Sequence, residues 1–357
     1  MTYDVAVVGA GAMGSAAAWA LSAAGREVVV LEQFTLGHER GGSHGATRLY
    51  RAAVDDAEVA ELTERARPLW RELEAQSGET LLEETGGIDH GMSDTSVEVF
   101  RTLHGATGSV LSAAEAAERW PGFRFETPVL YQPGSGRLYA ERAVHALQVV
   151  AGRSGAEFRV QSPVRALRAH DGLVELDVPG GAVRARHVVV TAGPWTPRLV
   201  GGLVPLPPFR VTQEQPRFFA PLSDELEWPS FVHHGPTSYG LYEPGSGVKV
   251  GLHATGPEVD PDTRDFRPEP ERDARLIRYV GQWYPGLDPH RSTAISCLYD
   301  STATADFVID RAGPVTVAAG FSGSGFKFVP LVGCFVRDLV TGGPRPPARF
   351  SFRTAQR

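Results

Sequence analysis

The stretch VAVVGAGAMG, residues 5–14, joins a short apolar run to a turn that contains three glycines. Four consecutive apolar residues are typical of a buried parallel strand, and the glycine spacing matches the G-x-G-x-x-G pattern of dinucleotide-binding turns. Gly9 permits a tight turn, Gly11 lets a pyrophosphate approach the backbone, and Gly14 lets the next helix pack on the strand. The stretch therefore predicts a strand, a phosphate-binding turn and a helix.

The residues that follow complete a strand–helix–strand unit. Small residues over 13–24 predict the helix, Gly25 suits its C-terminal end, and residues 28–31 predict the next buried strand. Glu32 ends that strand about 20 residues after the turn, where a carboxylate can accept hydrogen bonds from ribose hydroxyls. This carboxylate disfavours a 2′-phosphate and therefore NADP. These residues alone leave both NAD and FAD open.

The rest of the chain alternates between predicted helices and strand-rich segments. Ser112 and Glu115 form a capping box that opens a short helix. Pro68 is expected to kink or break the helix around it. Many prolines, glycines and aromatic residues over 205–255 indicate a mainly antiparallel sheet. The other predicted helices are 56–76, 142–152, 270–283 and 330–339, and the predicted strands are 158–160, 164–168, 173–178, 183–191 and 315–319.

The order of these elements predicts an α/β (α+β) fold with two domains. The chain begins with a nucleotide-binding unit and ends with a similar strand–glycine–helix unit, and strand-rich segments lie between them. We therefore expect a nucleotide-binding domain built from both ends of the chain, with a sheet-based second domain inserted.

Composition and charge exclude several classes of protein. The chain has 357 residues, 42% of them hydrophobic, and a net charge of −7 without a Lys/Arg run, which disfavours a nucleic-acid partner or a polybasic membrane anchor. The two cysteines, Cys297 and Cys334, have neither disulfide-scaffold nor metal-site spacing, so no metal is expected. No signal peptide or transmembrane helix is expected, and a cytoplasmic location is predicted.

Five segments spread from Val5 to Phe328 resemble the monomeric sarcosine oxidase and N-methyltryptophan oxidase family, a group within the D-amino-acid-oxidase-type flavoproteins. The resemblance covers most of the chain. It implies covalently bound FAD, oxidation of N-methyl or cyclic secondary amines of amino acids, oxygen as acceptor, hydrogen peroxide as product and a monomeric protein. The most specific segments are GSHGATRLYR at 42–51, GVKVGLH at 247–253, SCLY at 296–299 and GFSGSGFKF at 320–328.

The resemblance also implies a particular division of the chain. An FAD-binding Rossmann-like domain of glutathione-reductase type is expected at 1–82, 141–205 and 300–357. A mixed, mainly antiparallel β-sheet substrate domain is expected at 83–140 and 206–299.

Four residues match positions that act in catalysis in the family. The resemblance implies that Lys249 contacts the flavin through water and promotes its reaction with oxygen, and that Arg48 lies against the flavin ring. A fixed positive charge there would stabilise developing negative charge. His253 would lie near the substrate amine, and Tyr299 would line the pocket. On the residues alone, Lys249 is also compatible with an outward-facing strand lysine, and His253 with a hydrogen-bonded structural histidine.

The resemblance assigns the substrate carboxylate to Arg51 and Lys327, with Tyr239 in the pocket wall. A guanidinium fork suits a carboxylate, and Lys327 stands between two phenylalanines, an unusual place for a surface lysine. Two solvated surface arginines remain the alternative for Arg48 and Arg51.

One match and one departure concern the flavin directly. Cys297 matches the cysteine that joins the 8α-methyl of the flavin through sulfur, which is chemistry available to a thiolate. Ser324 stands where the family usually has histidine, and the smaller side chain would enlarge the pocket or change the local charge. The residues expected to contact FAD are Gly9, Gly11, Ala12, Met13, Gly14, Glu32, Gln33, Ser43, Thr47, Arg48, Val164, Ala192, Gly193, Trp195, Cys297, Gly320, Gly323, Ser324, Gly325, Phe326 and Lys327.

The expected function is oxidation of a secondary amine in an N-methyl or cyclic amino acid to an imine. Three alternatives stay open: a tailoring oxidase of a larger cyclic imino acid, which Ser324 would admit, a D-amino acid or amine dehydrogenase with an acceptor other than oxygen, and a non-catalytic nucleotide-binding protein. The expected partners are a small amine substrate and molecular oxygen.

Overall fold

A computed structural model describes residues 2–52, 54, 56–104, 108–170, 172–235 and 237–352. Within these ranges the helices are α1 (Ala12–Ala23), α2 (Ala57–Ser77), α3 (Asp94–His104), α4 (Ala113–Arg119), α5 (Ala140–Arg153), α6 (Thr196–Val200), α7 (Pro270–Trp283) and α8 (Val329–Thr341). Single 3₁₀ turns cover Gly193–Trp195, Phe326–Phe328 and Ala348–Phe350.

The strands in the same ranges are β1 (Thr2–Val8), β2 (Val28–Leu31), β3 (Thr47–Tyr50), β4 (Leu82–Glu83), β5 (Gly87–His90), β6 (Ser109–Leu111), β7 (Val129–Gln132), β8 (Gly136–Tyr139), β9 (Glu157–Arg159), β10 (Ala166–His170), β11 (Leu173–Val178), β12 (Gly181–Val190), β13 (Arg210–Glu214), β14 (Arg217–Pro221), β15 (Ser230–His233), β16 (Ser238–Glu243), β17 (Gly247–Leu252), β18 (Leu287–Ala294), β19 (Cys297–Ser301), β20 (Val308–Ala312) and β21 (Val315–Ala319).

The first sheet contains the predicted nucleotide-binding unit. Its strand order is β10-β11-β12-β1-β2-β9, and β21 pairs with the second half of β12 while β20 pairs with β21. The pairs β9-β2, β2-β1, β1-β12 and β12-β21 are parallel, whereas β10-β11, β11-β12 and β20-β21 are antiparallel. The parallel centre therefore joins strands from both ends of the chain, as the sequence predicts.

Glycines let α1 lie unusually close to its neighbours. Gly9 has φ +98, and a Cβ there would stand 2.7 Å from the carbonyl oxygen of Thr191. A Cβ at Gly14 would overlap the carbonyl oxygen of Gly9, and one at Gly333 on α8 would overlap that of Ala16. The small residues of α1 are buried because the helix packs against the sheet, α5 and α8. This close packing places the N-terminus of α1 at the glycine turn.

The second sheet has the order β18-β14-β17-β16-β15-β5-β7-β6. The pair β15-β5 is parallel and the other pairs are antiparallel, so the predicted mixed, mainly antiparallel sheet is confirmed. Its core contains large aromatic side chains and packs against α7. Two smaller sheets, β3-β8-β4 and β13-β19, complete the strand pairing.

Local predictions agree with the structure except at Pro68. The residues of β2, β11, β21 and α7 have the predicted bounds, and the Ser112–Glu115 capping box is present. Of the kink or break expected at Pro68, the break is wrong, since α2 runs through this residue, with Leu62, Ala66, Trp70 and Leu73 buried on both sides of it, and the kink stays a prediction. Tertiary packing of that face outweighs the lost backbone hydrogen bond. Elements α3, β3, β8, β18 and β20 are not predicted from the sequence.

None of the helices in the described ranges has the length and apolar composition needed to cross a membrane.

Two histidines lie stacked at the junction of β5 and β15. The rings of His90 and His233 are 4.2 Å apart at an interplanar angle of 13°, and the strand register pairs the two residues directly. Burial, together with the charge of the neighbouring histidines, lowers the pKa of His90 to about 3 and that of His233 to about 4. Both rings are therefore neutral in the folded protein at pH 7.

We expect the free energy of unfolding to fall as the pH falls from about 6.5 towards 4. In this range both histidines become protonated in the unfolded chain but stay neutral in the folded protein, so protons favour unfolding. In His90→Phe this slope should decrease by up to about 1.4 kcal/mol per pH unit, the value for one proton. Urea unfolding at several pH values measures the slope. His290→Asn, at an exposed histidine, is the matched control. An unchanged slope in His90→Phe would contradict the neutral buried pair.

Candidate active site

A cavity of about 1080 Å³ is lined by residues of both large sheets. Gly14, Thr47 and Gly320 do not line it; Gly14 packs α1 on the strand, and the other two act through neighbours described below. The predicted site residues that line the cavity are Gly9, Gly11, Ala12, Met13, Glu32, Gln33, Ser43, Arg48, Arg51, Val164, Ala192, Gly193, Trp195, Tyr239, Lys249, His253, Cys297, Tyr299, Gly323, Ser324, Gly325, Phe326 and Lys327.

The end of the cavity at the glycine turn is suited to a dinucleotide. Glu32 accepts hydrogen bonds from the backbone N–H of Ala10 (2.8 Å) and of Phe34 (2.9 Å). Burial opposes its ionisation, but the hydrogen bond with His38 and those two N–H groups hold the pKa of Glu32 below its usual value. The Ser43 hydroxyl accepts from the N–H of Ala12 at 3.0 Å. An ionised carboxylate and the N-terminus of α1 therefore face the same space.

The ends of β1 and β12 meet beside this turn. These strands are parallel neighbours. Thr191, directly after β12, links the two strand ends because its hydroxyl donates to the carbonyl oxygen of Val8 at 2.9 Å. The 3₁₀ turn Gly193–Trp195 follows, and the Trp195 indole donates to Asp262 at 2.6 Å. Ligands of open parallel sheets bind at such carboxyl ends.

The segment before β3 lies against β19. Arg48 donates to the carbonyl oxygens of Gly42 (2.9 Å), His44 (2.6 Å) and Thr47 (2.9 Å), so its side chain fixes the turn that precedes it. His44 Nε2 lies 2.8 Å from the carbonyl oxygen of Ser296. These contacts bring the Arg48 guanidinium and the residue after Ser296 into the same part of the cavity.

Cys297 occupies that position on β19, opposite Glu214 of β13. Burial raises the pKa of the thiol, although Arg48 and Lys249 act in the opposite direction. Three cations, Arg48, Lys249 and Arg264, thus favour the thiolate, but in the protein alone burial dominates. Cys334 is partly buried on α8 and packs against the core of the first sheet, as expected for a structural cysteine.

Lys249 is 4% exposed, so it is not an outward-facing strand lysine. Its Nζ donates to the carbonyl oxygen of Thr47 at 2.6 Å and lies 3.2 Å from the Thr47 hydroxyl. That hydroxyl donates to buried Glu243 at 2.6 Å. Burial, followed by the charge of Arg48, lowers the pKa of Lys249 to about 7. Thr47 therefore acts at the site by holding Lys249.

Uncharged rings surround the neighbouring part of the cavity. His253 follows the end of β17, with its ring 5.5 Å from that of Tyr299 and 6.5 Å from that of Tyr239. Burial lowers the pKa of His253 and raises the pKa of both tyrosines. All three groups are therefore neutral near pH 7.

The two residues expected to bind a carboxylate lie together, but one of them has another partner. Lys327 is 7% exposed and its Nζ donates to the carbonyl oxygen of Arg51 at 3.2 Å. Burial, followed by the charge of Arg51, lowers the pKa of Lys327 to about 7. The Arg51 guanidinium is paired with Asp89, with 2.6 Å between Nη2 and Oδ1.

The lysine content of the chain is a signal that the motifs do not use. Lys249 and Lys327 are the only two lysines in the sequence, whereas the other 33 of the 35 Lys and Arg residues are arginines. Both lysines are buried and both line the same cavity. Charged side chains are rarely buried without a specific role.

Several ionisable residues near the cavity were not predicted from the sequence. Asp300 lines it, accepts from the N–H of Gly320 at 2.9 Å, and has a pKa raised to about 6 by burial. Asp89 and His234 contact Arg51, and Glu243 contacts Thr47. An available signal was that ionisable pairs stand at the ends of two strands, Asp89-His90 at the end of β5 and His233-His234 across the end of β15.

The model of the FAD dependent oxidoreductase family matches residues 4–339. The chain belongs to this family. Monomeric sarcosine oxidase of Bacillus sp. (strain NS-129) is 32% identical, with 96% of this chain and 93% of that protein covered. N-methyl-L-tryptophan oxidase of Yersinia pestis (strain Pestoides F) is 30% identical, with 97% of each covered. The open form of NikD, an unusual amino acid oxidase essential for nikkomycin biosynthesis, has a TM-score of 0.88 at 26% identity and covers 98% of this chain and 97% of that one.

Membership of the family decides between the two dinucleotides, and the cofactor is FAD. The residues fit it: α1 begins after Gly11, so the positive end of its dipole lies at the glycine turn in the cavity wall, where phosphates would bind. Glu32 suits ribose hydroxyls, and the cavity continues from there to Cys297 and Lys327. The family relationship predicted from the sequence is confirmed, as is FAD.

Proposed function

We propose that this protein is an FAD-dependent oxidase of a secondary amine in an N-methyl or cyclic amino acid, and that its products are an imine and hydrogen peroxide. The observation that carries the proposal is the burial of the only two lysines, Lys249 and Lys327, in one cavity beside the glycine turn. The names of the relatives at 30% and 32% identity support it.

When bound, FAD would take a hydride equivalent from the carbon beside the substrate nitrogen and pass the electrons to oxygen. The protein supplies orientation and electrostatics. Lys327 and Arg51 would bind the substrate carboxylate. Tyr239, His253 and Tyr299 would surround an uncharged amine, which is the form with a lone pair available. The neutral state of these three rings suits that form, since no charged group among them would hold an ammonium.

We also propose that Cys297 is joined to the flavin through its sulfur. Its place in the cavity wall, with Arg48 and Lys249 favouring the thiolate, supports this. The C–S bond would replace a C–H bond of the flavin methyl and the S–H bond of Cys297, with two protons released and two electrons passing to the flavin and from there to oxygen. Arg48 would lie beside the flavin ring, and Lys249 would promote the reaction with oxygen. The domain boundaries, the monomeric state and the cytoplasmic location remain predictions.

A second candidate is a tailoring oxidase of a larger cyclic imino acid. Ser324 favours it, because this residue is exposed at the cavity and its hydroxyl has one long contact, 3.5 Å to the carbonyl oxygen of Phe321. The space beside the small side chain would admit a bulkier ring. The likeness to NikD is consistent with this candidate.

The test is a peroxide-coupled screen of the flavin-loaded enzyme under air. N-methyl amino acids, proline, pipecolate and D-amino acids are compared, with larger cyclic imino acids as a separate set. We expect peroxide from at least one secondary amino acid. Reduction of the flavin without peroxide, but with turnover on an artificial electron acceptor, would favour a dehydrogenase. No reduction by any of these amines would reject the proposal.

Lys327→Met should lower kcat/KM for the best carboxylate-bearing substrate about 100-fold, because a charge-assisted hydrogen bond in a buried site is lost. The decarboxylated analogue of the same substrate should change by less than about threefold. Steady-state kinetics on the two compounds measure the ratio. Equal losses on both would remove Lys327 from carboxylate binding.

A further inference from the structure

The Arg51 guanidinium is held by two residues of the second sheet. Its Nη2 lies 2.6 Å from Oδ1 of Asp89 and 3.3 Å from Nε2 of His234. The same histidine nitrogen lies 2.8 Å from Oδ1 of Asp89. Arg51 lines the cavity, whereas Asp89 and His234 do not. The pair therefore contacts the guanidinium from outside the cavity wall.

Backbone pairing fixes the positions of both partners. Asp89 lies on β5 and pairs in register with Val232 of the parallel strand β15. The N–H of His234 donates to the carbonyl oxygen of His90 at 2.9 Å, which extends the ladder by one residue. Arg51 comes from a distant part of the chain, directly after β3. The ion pair thus joins the segment that follows β3 to the second sheet.

The ion pair between Arg51 and Asp89 differs from a surface ion pair because its carboxylate is buried. Asp89 is 3% exposed, and although burial disfavours its ionisation, the Arg51 charge and the His234 hydrogen bond hold the pKa of Asp89 below its usual value. Arg51 and Asp89 also act on the Lys327 ammonium, in opposite directions. Breaking a buried pair leaves an uncompensated charge, so the guanidinium is strongly held in one place.

We propose that Asp89, oriented by His234, is a positioning residue that fixes the Arg51 guanidinium beside Lys327, so that the two cations form one carboxylate-binding site. This inference rests on the proposed function and adds to it the residues that determine carboxylate recognition. A guanidinium held at one nitrogen keeps its remaining donors in a fixed direction, which is the geometry that a planar carboxylate requires.

A binding measurement tests the proposal without turnover. Binding of 2-furoate to the flavin-loaded protein is followed by flavin absorbance, with 2-furamide as the uncharged match. Asp89→Asn should raise the Kd of 2-furoate about tenfold or more, because the Arg51 guanidinium is no longer held in place. The Kd of 2-furamide should not change. If Asp89 acted only through its negative charge, the same variant would bind 2-furoate more tightly, and tighter or unchanged binding would overturn the proposal.

A double-mutant cycle separates position from general damage. Arg51→Leu should weaken 2-furoate binding by itself, and Asp89→Leu in that background should cause no further loss, because nothing is left to position. The double variant replaces a buried pair by apolar residues, which proteins tolerate better than one unpaired charge. Equal further loss in the Arg51→Leu background would contradict the proposal. His234→Asn should give a smaller loss than Asp89→Asn.

The two lysines allow a second readout in the same protein. With lysine labelled by ¹³C at Cε, two side-chain signals are expected, one from Lys249 and one from Lys327. Asp89→Asn should move the titration of the Lys327 signal to lower pH, because the Asp89 charge raises the pKa of Lys327, and leave the Lys249 signal in place as an internal control. No movement of Lys327 would overturn the proposed arrangement.

These measurements keep the two proposals apart. If wild-type protein bound 2-furoate no better than 2-furamide, carboxylate recognition, and with it the proposed function, would fail, whatever the labelled Lys327 signal showed. If wild type discriminated and Asp89→Asn did so equally well, the positioning role alone would fail.

Discussion

Lys249→Met is expected to slow the oxidation of the reduced flavin by oxygen about 100- to 1000-fold, the usual cost of removing one group that stabilises developing charge. Anaerobic reduction by substrate should slow by less than about tenfold. Lys249 is buried and its Nζ donates to the carbonyl oxygen of Thr47 at 2.6 Å, whereas the only other lysine in the sequence, Lys327, donates to the carbonyl oxygen of Arg51. The Lys249 ammonium would therefore already be in position when negative charge develops, and its side chain would not need to move during the reaction.

Stopped-flow absorbance of the flavin measures the two half-reactions separately. Lys327→Met is the reciprocal control, because it should slow reduction by a carboxylate-bearing substrate and spare oxidation by oxygen. In wild type, oxidation should slow as the pH rises through the pKa of Lys249, since the ammonium is then lost, and this dependence should disappear in Lys249→Met. Equal slowing of both half-reactions in Lys249→Met would contradict the oxygen role.

Cys297→Ala is expected to change flavin attachment completely. Acid-precipitated wild type should remain yellow. The variant should release all of its flavin into the supernatant, because no sulfur would join the flavin to the protein. Absorbance of the pellet and the supernatant, with a mass spectrum of the intact chain, measures the difference. The position of Cys297 in the cavity wall, near Arg48 and Lys249, supports this expectation.

Cys334→Ala is the matched control, because Cys334 is the only other cysteine and lies on α8, outside the cavity lining. This variant should keep its pellet yellow. A colourless pellet from flavin-loaded wild type would reject covalent attachment, and it would leave the assignment of FAD unaffected.

The sequence was most informative where chemistry depends on neighbouring residues. The strand, the glycine turn and the helix from Thr2 to Ala23 follow from residue size and glycine spacing over a few positions. The segments that contain Arg48, Lys249, Cys297 and Lys327 likewise carry the family resemblance within short motifs. These local patterns were enough to predict the family and FAD.

The break expected at Pro68 shows where local reasoning stops. The cost of proline in a helix is real, but the burial of Trp70 and its neighbours keeps α2 continuous. The amphipathic pattern of α3 was present in the sequence and was not used, whereas β8 has little local signal because it is stabilised by its pairing with β3 and β4. Propensity over a short window does not contain that information.

The sequence by itself thus determined the nucleotide-binding unit, the family and the residue types of the site. Only the tertiary structure decided how those residues are held. Thr47 contacts both Lys249 and Glu243, although Glu243 lies 196 positions away from it in the sequence, and Arg51 is paired with Asp89 instead of standing free. The physical reason is that burial and charge pairing depend on which distant segments meet. The sequence around the carboxylate on β5 does not indicate which arginine pairs with it.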